Sequence, residues 1–144
     1  MEVAQSTNNS KIKITVKDSK YATGRRKTSI AKIWLKKGSG KIFVNGKNYD
    51  DYFKRDTHKM QLLRPFEIIN QATTYDVRCN VRGGGLTGQV GAMVHGISKA
   101  LVMFDSEFKN TLKKEKLTTR DSRSVERKKY GHRKARRSYQ FSKR

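Results

Sequence analysis

The sequence predicts an α+β domain, a small mixed sheet with helices packed on one face, followed by an extended basic C-terminal tail. Apolar and polar residues alternate in short segments between residues 29 and 82, as in strands with one buried face. Between residues 90 and 104 the apolar residues recur every three or four positions, as in an amphipathic helix. The last eighteen residues contain nine Lys or Arg and no Asp or Glu, so we expect them to stay outside the core.

Two strands are predicted at the start of the domain. Alternation over residues 29–35 indicates the first strand, and residues 42–44 carry the second. The Gly-Ser-Gly segment at residues 38–40 is typical of a tight turn. We therefore expect the two strands to pair directly as a β-hairpin that closes near residues 45–46.

Helices are predicted in the middle of the domain. Residues 48–53 fit a short helical turn opened by polar residues, and residues 57–71 follow with a helical pattern that Pro65 interrupts. Proline has no backbone N–H to donate, a loss that costs nothing at the first position of a helix. Two short helices are therefore expected, with Pro65 opening the second, which extends over residues 66–71.

The clearest strand and the main helix are predicted next. Residues 75–81 alternate strictly and give one apolar and one polar face, and three glycines at residues 83–85 end the strand. The apolar stripe over residues 90–104 is expected to pack on the apolar face of the sheet. A further short helix is expected over residues 106–116.

The chain is expected to divide into three parts. Residues 1–20 form a polar N-terminal extension, in which the alternation at residues 12–16 fits an edge strand and a loose segment about equally well. Residues 21–112 are expected to form a globular α+β domain, and residues 113–144 the basic tail. Residues 113–144 hold 14 Lys or Arg against three Asp or Glu, which is half of the net charge of +22, so body and tail are both basic.

This charge indicates the class of partner. The chain has 34 Lys and Arg against 12 Asp and Glu, well beyond what solubility requires, and such an excess is typical of proteins that bind nucleic acid. Like charges at the density of the tail repel one another, and few apolar groups are present to offset the entropy of ordering. The tail should therefore be extended when alone and become ordered on a polyanion.

Several other functions are excluded by the residues that they would need. The single Cys79 cannot form an internal disulfide, and no Cys/His cluster has the spacing of zinc ligands. His58, His95 and His132 are scattered, without a nucleophile and base that the sequence could bring together. No apolar run approaches the roughly 18 residues of a membrane span. We expect no enzyme activity, metal, cofactor, small-molecule substrate, membrane association or export.

Two segments of the body are candidates for phosphate contacts. Residues 23–29 place Arg25, Arg26 and Lys27 beside hydroxyl and backbone donors, although a solvated basic loop would look the same. Arg82 and the glycines at residues 83–85 join a strand to a helix, where backbone amides could receive a phosphate. The glycines are equally well explained as a tight turn, and the Lys and Ser/Thr of a nucleotide-binding loop are missing.

The tail has two further interpretations, a nuclear-localisation-like patch and a membrane-surface helix. Its apolar residues form no helical stripe, and Gly131 weakens any helix there. An arginine can grip a phosphate with two donors, whereas lysine acts as a point charge. Tyr130, Tyr139 and Phe141 could stack on bases or merely pack on sugars.

Several segments carry a close family resemblance. In chain order and at family spacing, they are residues 21–28 (YATGRRKT), 81–89, 95–101, 119–121, 126–131, 134–137 and 140–144. Together they resemble the bacterial-type ninth protein of the small ribosomal subunit over about residues 21–144. Residues 1–20 lie outside the resemblance, and no role is transferred to them.

The resemblance implies both a fold and a role. The fold is that of the second domain of the fifth small-subunit protein, and the partners are the ribosomal RNA of the subunit head and neighbouring head proteins. The tail passes through RNA toward the peptidyl site, in support of translation. There Ser142, Lys143 and Arg144 would contact the anticodon stem of the peptidyl-site transfer RNA.

The residues that we expect to bind ribosomal RNA belong to the basic segments and the glycine run. They are Arg25, Arg26, Lys27, Arg82, Gly83, Gly84, Gly85, Arg120, Arg123, Arg127, Lys128, Lys129, Tyr130, Arg133, Lys134, Arg136 and Arg137. The implied location is a bacterial ribosome in the cytoplasm, with a ribosome of an organelle matrix as the alternative that the many Lys and Asn residues suit equally.

Overall fold

The computed structural model describes residues 18–71 and 73–143. It confirms the α+β class, with a five-stranded mixed sheet and helices packed on it. The elements in chain order are β1 (Lys20–Arg26), β2 (Ser29–Lys37), β3 (Ile42–Val44), β4 (Lys47–Asn48), α1 (Tyr49–Tyr52), α2 (Asp56–Ile68), β5 (Tyr75–Arg82), α3 (Leu86–Phe104) and α4 (Phe108–Lys114).

The sheet has the strand order β1-β2-β5-β3-β4. β1 and β2 pair antiparallel and are joined by a two-residue turn at Lys27 and Thr28. β2 also pairs antiparallel with β5, whereas β3 runs parallel to β5 and antiparallel to β4. The parallel pair requires a crossover connection, which α1 and α2 provide.

The predicted hairpin between residues 29–35 and 42–44 is wrong. Both strands exist, but β5 lies between them and pairs with each. The Gly-Ser-Gly loop spans the end of β5, where the Asp76 carboxylate accepts hydrogen bonds from the backbone N–H groups of Ser39 and Lys41, each at 2.9 Å. A turn signal in the sequence does not show that a strand from later in the chain pairs between the two strands that flank the turn.

β1 was not predicted, because its residues have the composition of a basic loop. In the structure, Ala22 and Gly24 face the core while Tyr21 and Arg25 are exposed. Two small residues and a charged end conceal the alternation on which strand prediction relies. The basic cluster at residues 23–29 therefore lies on the end of an edge strand and the turn that follows it.

The helices agree with the prediction except at Pro65. α1 and α4 lie within the predicted segments, and α2 begins close to the predicted start. However, α2 continues through Pro65 to Ile68 instead of dividing there. Pro65 is buried on the same helix as Leu62 and Phe66, so the packing of this face offsets the hydrogen bond that the ring removes.

The core lies between the sheet and α3, as predicted. Val90, Met93, Ile97 and Leu101 of α3 are fully buried against the inward side chains of β1, β2 and β5. Their spacing repeats every three or four residues, which is the predicted stripe. α2 and α4 pack on the flank of α3 and close the core.

The described C-terminal segment lies largely outside these elements. Beyond Lys114, the described part of the chain contains no helix or strand, and a single isolated bridge joins His132 to Ser138. The predicted edge strand at residues 12–16 lies outside the described residues, as does Arg144.

Candidate nucleic-acid interface

Three segments that the sequence singled out meet at one corner of the domain. The turn between β1 and β2 lies against the glycine run, because the Ser29 hydroxyl donates a hydrogen bond of 3.1 Å to the Gly83 carbonyl oxygen. The start of the tail reaches the same corner through contacts with Arg26. The turn thus meets two segments that each lie more than fifty residues from it in sequence, and the three form one basic surface.

The glycine run has a clear structural role at this corner. Gly83 and Gly84 have φ angles of 73° and 63°, which glycine adopts without a steric penalty. A Cβ atom at Gly83 would lie 2.6 Å from the Thr28 carbonyl oxygen, and one at Gly84 would lie 2.1 Å from the Ser29 hydroxyl. The run therefore makes the turn into α3 and lets the β1–β2 turn approach closely.

Arg26 joins the tail to the body. One of its terminal nitrogens lies 2.9 Å from the Asp121 carboxylate, and the other donates a hydrogen bond of 3.0 Å to the Arg123 carbonyl oxygen. The stem of Arg26 runs along Gly91 of α3, where a Cβ atom would approach its Cγ to 3.1 Å. Arg26 thus sets the point at which the tail leaves the domain.

Asp121 also holds Arg123, its neighbour in the tail. The Arg123 guanidinium donates to both oxygens of the Asp121 carboxylate, at 2.9 to 3.2 Å. These hydrogen bonds, with the charge of Arg26, lower the pKa of Asp121 to about 2. The carboxylate therefore stays ionised at any physiological pH and offsets part of the positive charge of this corner.

An open groove of about 370 Å³ lies between the turn and the tail. It is lined by Arg26, Lys27, Arg123, Ser124 and Val125. Lys27 is exposed and adopts a φ of 50°, a left-handed conformation that places it in the turn itself. Cations and backbone groups of body and tail thus line a single concave surface.

The outer edge of β1 is covered by side chains of α3. The Arg25 backbone N–H donates to Nδ1 of His95 at 3.4 Å, and the Lys99 ammonium donates to the Thr23 carbonyl oxygen at 3.2 Å. His95 and Lys99 lie four residues apart on α3 and therefore share one face. Their backbone contacts protect the strand edge behind the basic corner.

Burial lowers the pKa of His95, and the nearby charges of Lys99 and Arg120 act in the same direction. A hydrogen bond with the Thr118 backbone opposes them. Neutral His95 can accept the Arg25 hydrogen bond at Nδ1, whereas the protonated ring cannot. The folded state therefore favours the neutral imidazole.

We expect the free energy of unfolding to fall as the pH is lowered from 7.5 to 5.5. The unfolded chain, whose histidine pKa is about 6.5, takes up a proton at His95 more readily than the folded chain does. Urea unfolding at the two pH values measures this difference, which His95→Gln should reduce. His132→Gln, in the tail, is the matched control. An equal pH dependence in wild type and His95→Gln would contradict the expectation.

The tail beyond Val125 presents its charges and rings to solvent. Tyr130 is 97% exposed and Phe141 is 84% exposed, whereas such residues are usually at least partly covered. Arg136 pairs with Glu126 at 3.0 Å, and the Arg133 guanidinium lies 5.5 Å from the centre of the Tyr139 ring. These contacts lie within the tail itself.

The structure therefore brings together some of the predicted site residues and separates others. The corner gathers residues 25–27, the glycine run with Arg82, and Arg123. The predicted residues from 127 to 137 lie along the exposed tail, and Ser142 and Lys143 lie at its exposed end. Prediction missed Asp121, His95 and Lys99 as positioning residues; the spacing of the last two on one helix face was the available signal.

Other kinds of site find little support in the described residues. Among residues 18–71 and 73–143 there is no group of three or more His, Cys, Asp and Glu side chains that could hold a metal ion. Cys79 is buried in β5, and burial raises the pKa of its thiol. No described helix is both long and apolar enough to cross a membrane.

The comparison with known protein families gives a match over most of the chain. The family model described as ribosomal protein S9/S16 matches residues 24–144. The matched range includes the β1–β2 turn, the glycine run, α3, and the whole tail.

Proposed function

Because the chain belongs to the ribosomal protein S9/S16 family, whose members are structural proteins of the small ribosomal subunit, we propose that it binds ribosomal RNA in the subunit head and extends its tail to the peptidyl-site transfer RNA. The family is structural rather than catalytic. Membership implies a location on the ribosome, in the cytoplasm or in an organelle, with ribosomal RNA and other ribosomal proteins as neighbours.

The observation that carries the RNA proposal is the convergence of charge at one corner and along the tail that starts there. The corner groove exposes Lys27 and backbone groups, and the tail continues from it with seven Lys or Arg between residues 127 and 137. Such a surface neutralises phosphates and releases their counterions on binding. A compact body is thereby joined to a cationic segment that can follow a groove in folded RNA.

The proposed RNA contacts differ in their freedom to bind. Arg25, Lys27 and Arg82 are exposed on the body, and so are the cations from Arg127 to Arg137 in the tail. Arg123 and Arg136 each pair with a carboxylate, so a phosphate there would have to replace Asp121 or Glu126. Arg26 already holds the tail, and we assign its part in RNA binding to placing that segment.

The backbone amides of the glycine run remain a proposed phosphate site. Gly85 precedes α3, nothing lies within 4 Å of a Cβ built on it, and Arg82 is exposed nearby. The positive end of the helix dipole adds to the attraction for an anion at this point. The structural role of Gly83 and Gly84 is compatible with such a contact, since a turn leaves its outward amides accessible.

The end of the tail supports the transfer-RNA part of the proposal. Ser142 and Lys143 are exposed and lie far along the chain from the body contact at Arg26. A hydroxyl and an ammonium are suited to the phosphates of an RNA backbone. Arg144 completes this cationic end.

Deleting residues 142–144 should leave assembly of the subunit intact and accelerate dissociation of peptidyl-site transfer RNA. The deletion removes two of the tail's cations and leaves the seven between residues 127 and 137. We expect dissociation to be about three- to tenfold faster, because an exposed phosphate contact contributes little more than 1 kcal/mol. Filter retention of labelled transfer RNA on purified subunits measures the rate.

The matched control keeps the same three residues at positions 142–144 but changes their order from Ser-Lys-Arg to Lys-Ser-Arg. If the contact is electrostatic, this chain should hold transfer RNA nearly as well as wild type. Unchanged dissociation from subunits that carry the deletion would contradict the proposal for the end of the tail.

A further inference from the structure

The sheet has one face that the helices do not cover. α3 packs on the face formed by the buried residues of β1, β2 and β5, and the alternating residues point the other way. We call this second surface the open face. Most of its residues are cations or aromatic or apolar side chains, and the others are Thr23, Asp76 and Asn80.

The strand register places aromatic rings and a guanidinium in one row across the open face. Tyr21 pairs with Trp34, and Trp34 pairs with Arg78. The rings of Tyr21 and Trp34 are 5.3 Å apart between centres, and the Arg78 guanidinium lies 5.9 Å from the centre of the Trp34 ring. Phe43 of β3 pairs with Arg78 and continues the row.

Further cations lie beside this row. Lys32 is two residues from Trp34 along β2, and therefore on the same face. Two residues further along β2, on the side of Lys32 away from Trp34, Ile30 pairs with Arg25 on β1 and Arg82 on β5. All three residues are exposed. Lys32 thus lies next to the aromatic row, and Arg25 and Arg82, which also belong to the corner, lie farther along the same face.

Asp76, an acidic residue on the open face, is already hydrogen-bonded. Asp76, at the far end of β5, accepts two backbone hydrogen bonds from the loop after β2. The loop bonds leave the cations at residues 32 and 78 without a carboxylate partner within the described part of the chain. An anionic partner would therefore meet two cations that no carboxylate pairs with in the described part of the chain.

The apolar groups of the open face contribute little to the core. Tyr21 is 44% exposed, and the Trp34 and Phe43 rings of the same row are half-buried, so part of each ring is open to solvent. Exposed apolar side chains that are grouped together, rather than scattered singly, indicate a binding surface.

We propose that the open face is a second RNA-binding surface, on which unpaired bases stack against Trp34 and Tyr21 while Arg78 and Lys32 contact the flanking phosphates. The inference rests on the proposed RNA-binding function and assigns it a surface separate from the corner and the tail. Flat rings set among cations suit an RNA strand, since every base has a face that can stack and every nucleotide brings a phosphate. An acidic protein segment would use the cations but not the exposed ring faces.

The single tryptophan of the chain provides a direct test, because Trp34 lies in the aromatic row. Purified small-subunit ribosomal RNA is titrated into the full chain while tryptophan emission and its quenching by acrylamide are recorded. Binding is measured in parallel by filter retention. We expect the RNA to quench Trp34 emission and to protect the ring from acrylamide at the RNA concentrations that give retention.

Variants separate stacking from general attraction. Trp34→Leu should weaken retention of RNA by about five- to a hundredfold, the range for loss of one base–aromatic stack, whereas Trp34→Phe should keep most of the affinity. Arg78→Gln should weaken binding more than Lys114→Gln, the charge-matched control at the end of α4. Thermal unfolding of each variant shows whether it is folded.

The outcomes distinguish this inference from the proposed function. Retention of RNA with unchanged Trp34 emission and unchanged acrylamide access would overturn the open-face proposal and leave RNA binding through the corner and tail intact. Absence of retention by any chain would overturn the proposed function itself. A Trp34 ring that acrylamide cannot reach in the free chain would show that the face is already covered, and that result would also overturn the inference.

Discussion

Neutralising the cations of residues 127–137 by glutamine is expected to weaken binding to small-subunit ribosomal RNA by at least about a hundredfold at roughly 0.1 M salt. The change removes seven Lys or Arg and leaves the body and its contacts with Asp121 in place. Each phosphate contact contributes about 0.7 to 0.9 to the slope of log affinity against log salt. The slope should therefore become shallower by about 5, which filter retention over a range of salt concentrations measures.

The control for this experiment keeps the charge and changes the order of the residues. A chain in which residues 127–141 are permuted should retain most of the slope, because counterion release depends on the number of neutralised phosphates and not on their sequence. A neutralised chain with the wild-type slope would show that the body alone binds the RNA, and the account of the tail would then be wrong.

Replacing Gly24 by alanine is expected to destabilise the domain by about 3 kcal/mol or more. β1 lies so close to α3 that a Cβ atom at Gly24 would be 1.8 Å from the Ala92 carbonyl oxygen and 2.5 Å from the Gly96 backbone nitrogen. Both neighbours are backbone atoms of one helix, so they cannot move aside without displacing α3. The strand would separate from the helix and lose the contacts of His95 and Lys99.

Urea unfolding of Gly24→Ala and of the matched variant Gly85→Ala measures this effect. Gly85 has a φ of −100°, and a Cβ atom there meets nothing within 4 Å, so alanine should cost about 1 kcal/mol or less. Absence of a cooperative transition in Gly24→Ala would be the extreme form of the expected result. Equal stability of the two variants would show that β1 and α3 can move apart at little cost.

Elements whose pattern is local were predictable from the sequence. β5 buries every second residue, and α3 buries residues at intervals of three or four. The spacing of apolar residues therefore identifies both elements directly. The order of strands was not predictable in this way. The residues of β2 and β3 flank a strong turn signal, and only the packing of the whole sheet places β5 between them.

Two further errors have physical reasons of the same kind. β1 lacks a visible apolar alternation because its inward positions hold Ala22 and Gly24. Only small residues fit there, since β1 lies close to the backbone of α3. α2 passes through Pro65 because the ring lies in the core, where its burial offsets a lost hydrogen bond. In both cases tertiary packing overrides a local preference.

In the candidate site, too, the local features were predictable from the sequence and their arrangement in space was not. The basic clusters and the glycine run are continuous segments of the sequence, so most residues of the corner could be predicted as RNA-binding residues. Their convergence was not visible, since it depends on Arg26 reaching Asp121 across almost one hundred residues of chain. The open face was missed because Tyr21, Trp34 and Arg78 become neighbours only through the register of three strands.

The account rests on a body that anchors a cationic tail and directs it into folded RNA. An electron cryo-microscopy map of the small ribosomal subunit that contains this chain tests that claim most directly. We predict continuous density for residues 122–143 running between RNA segments, with phosphates within about 4 Å of the cations from Arg127 to Arg137. Density for the tail folded back on its own domain, or a tail lying in solvent with the body bound, would contradict the account.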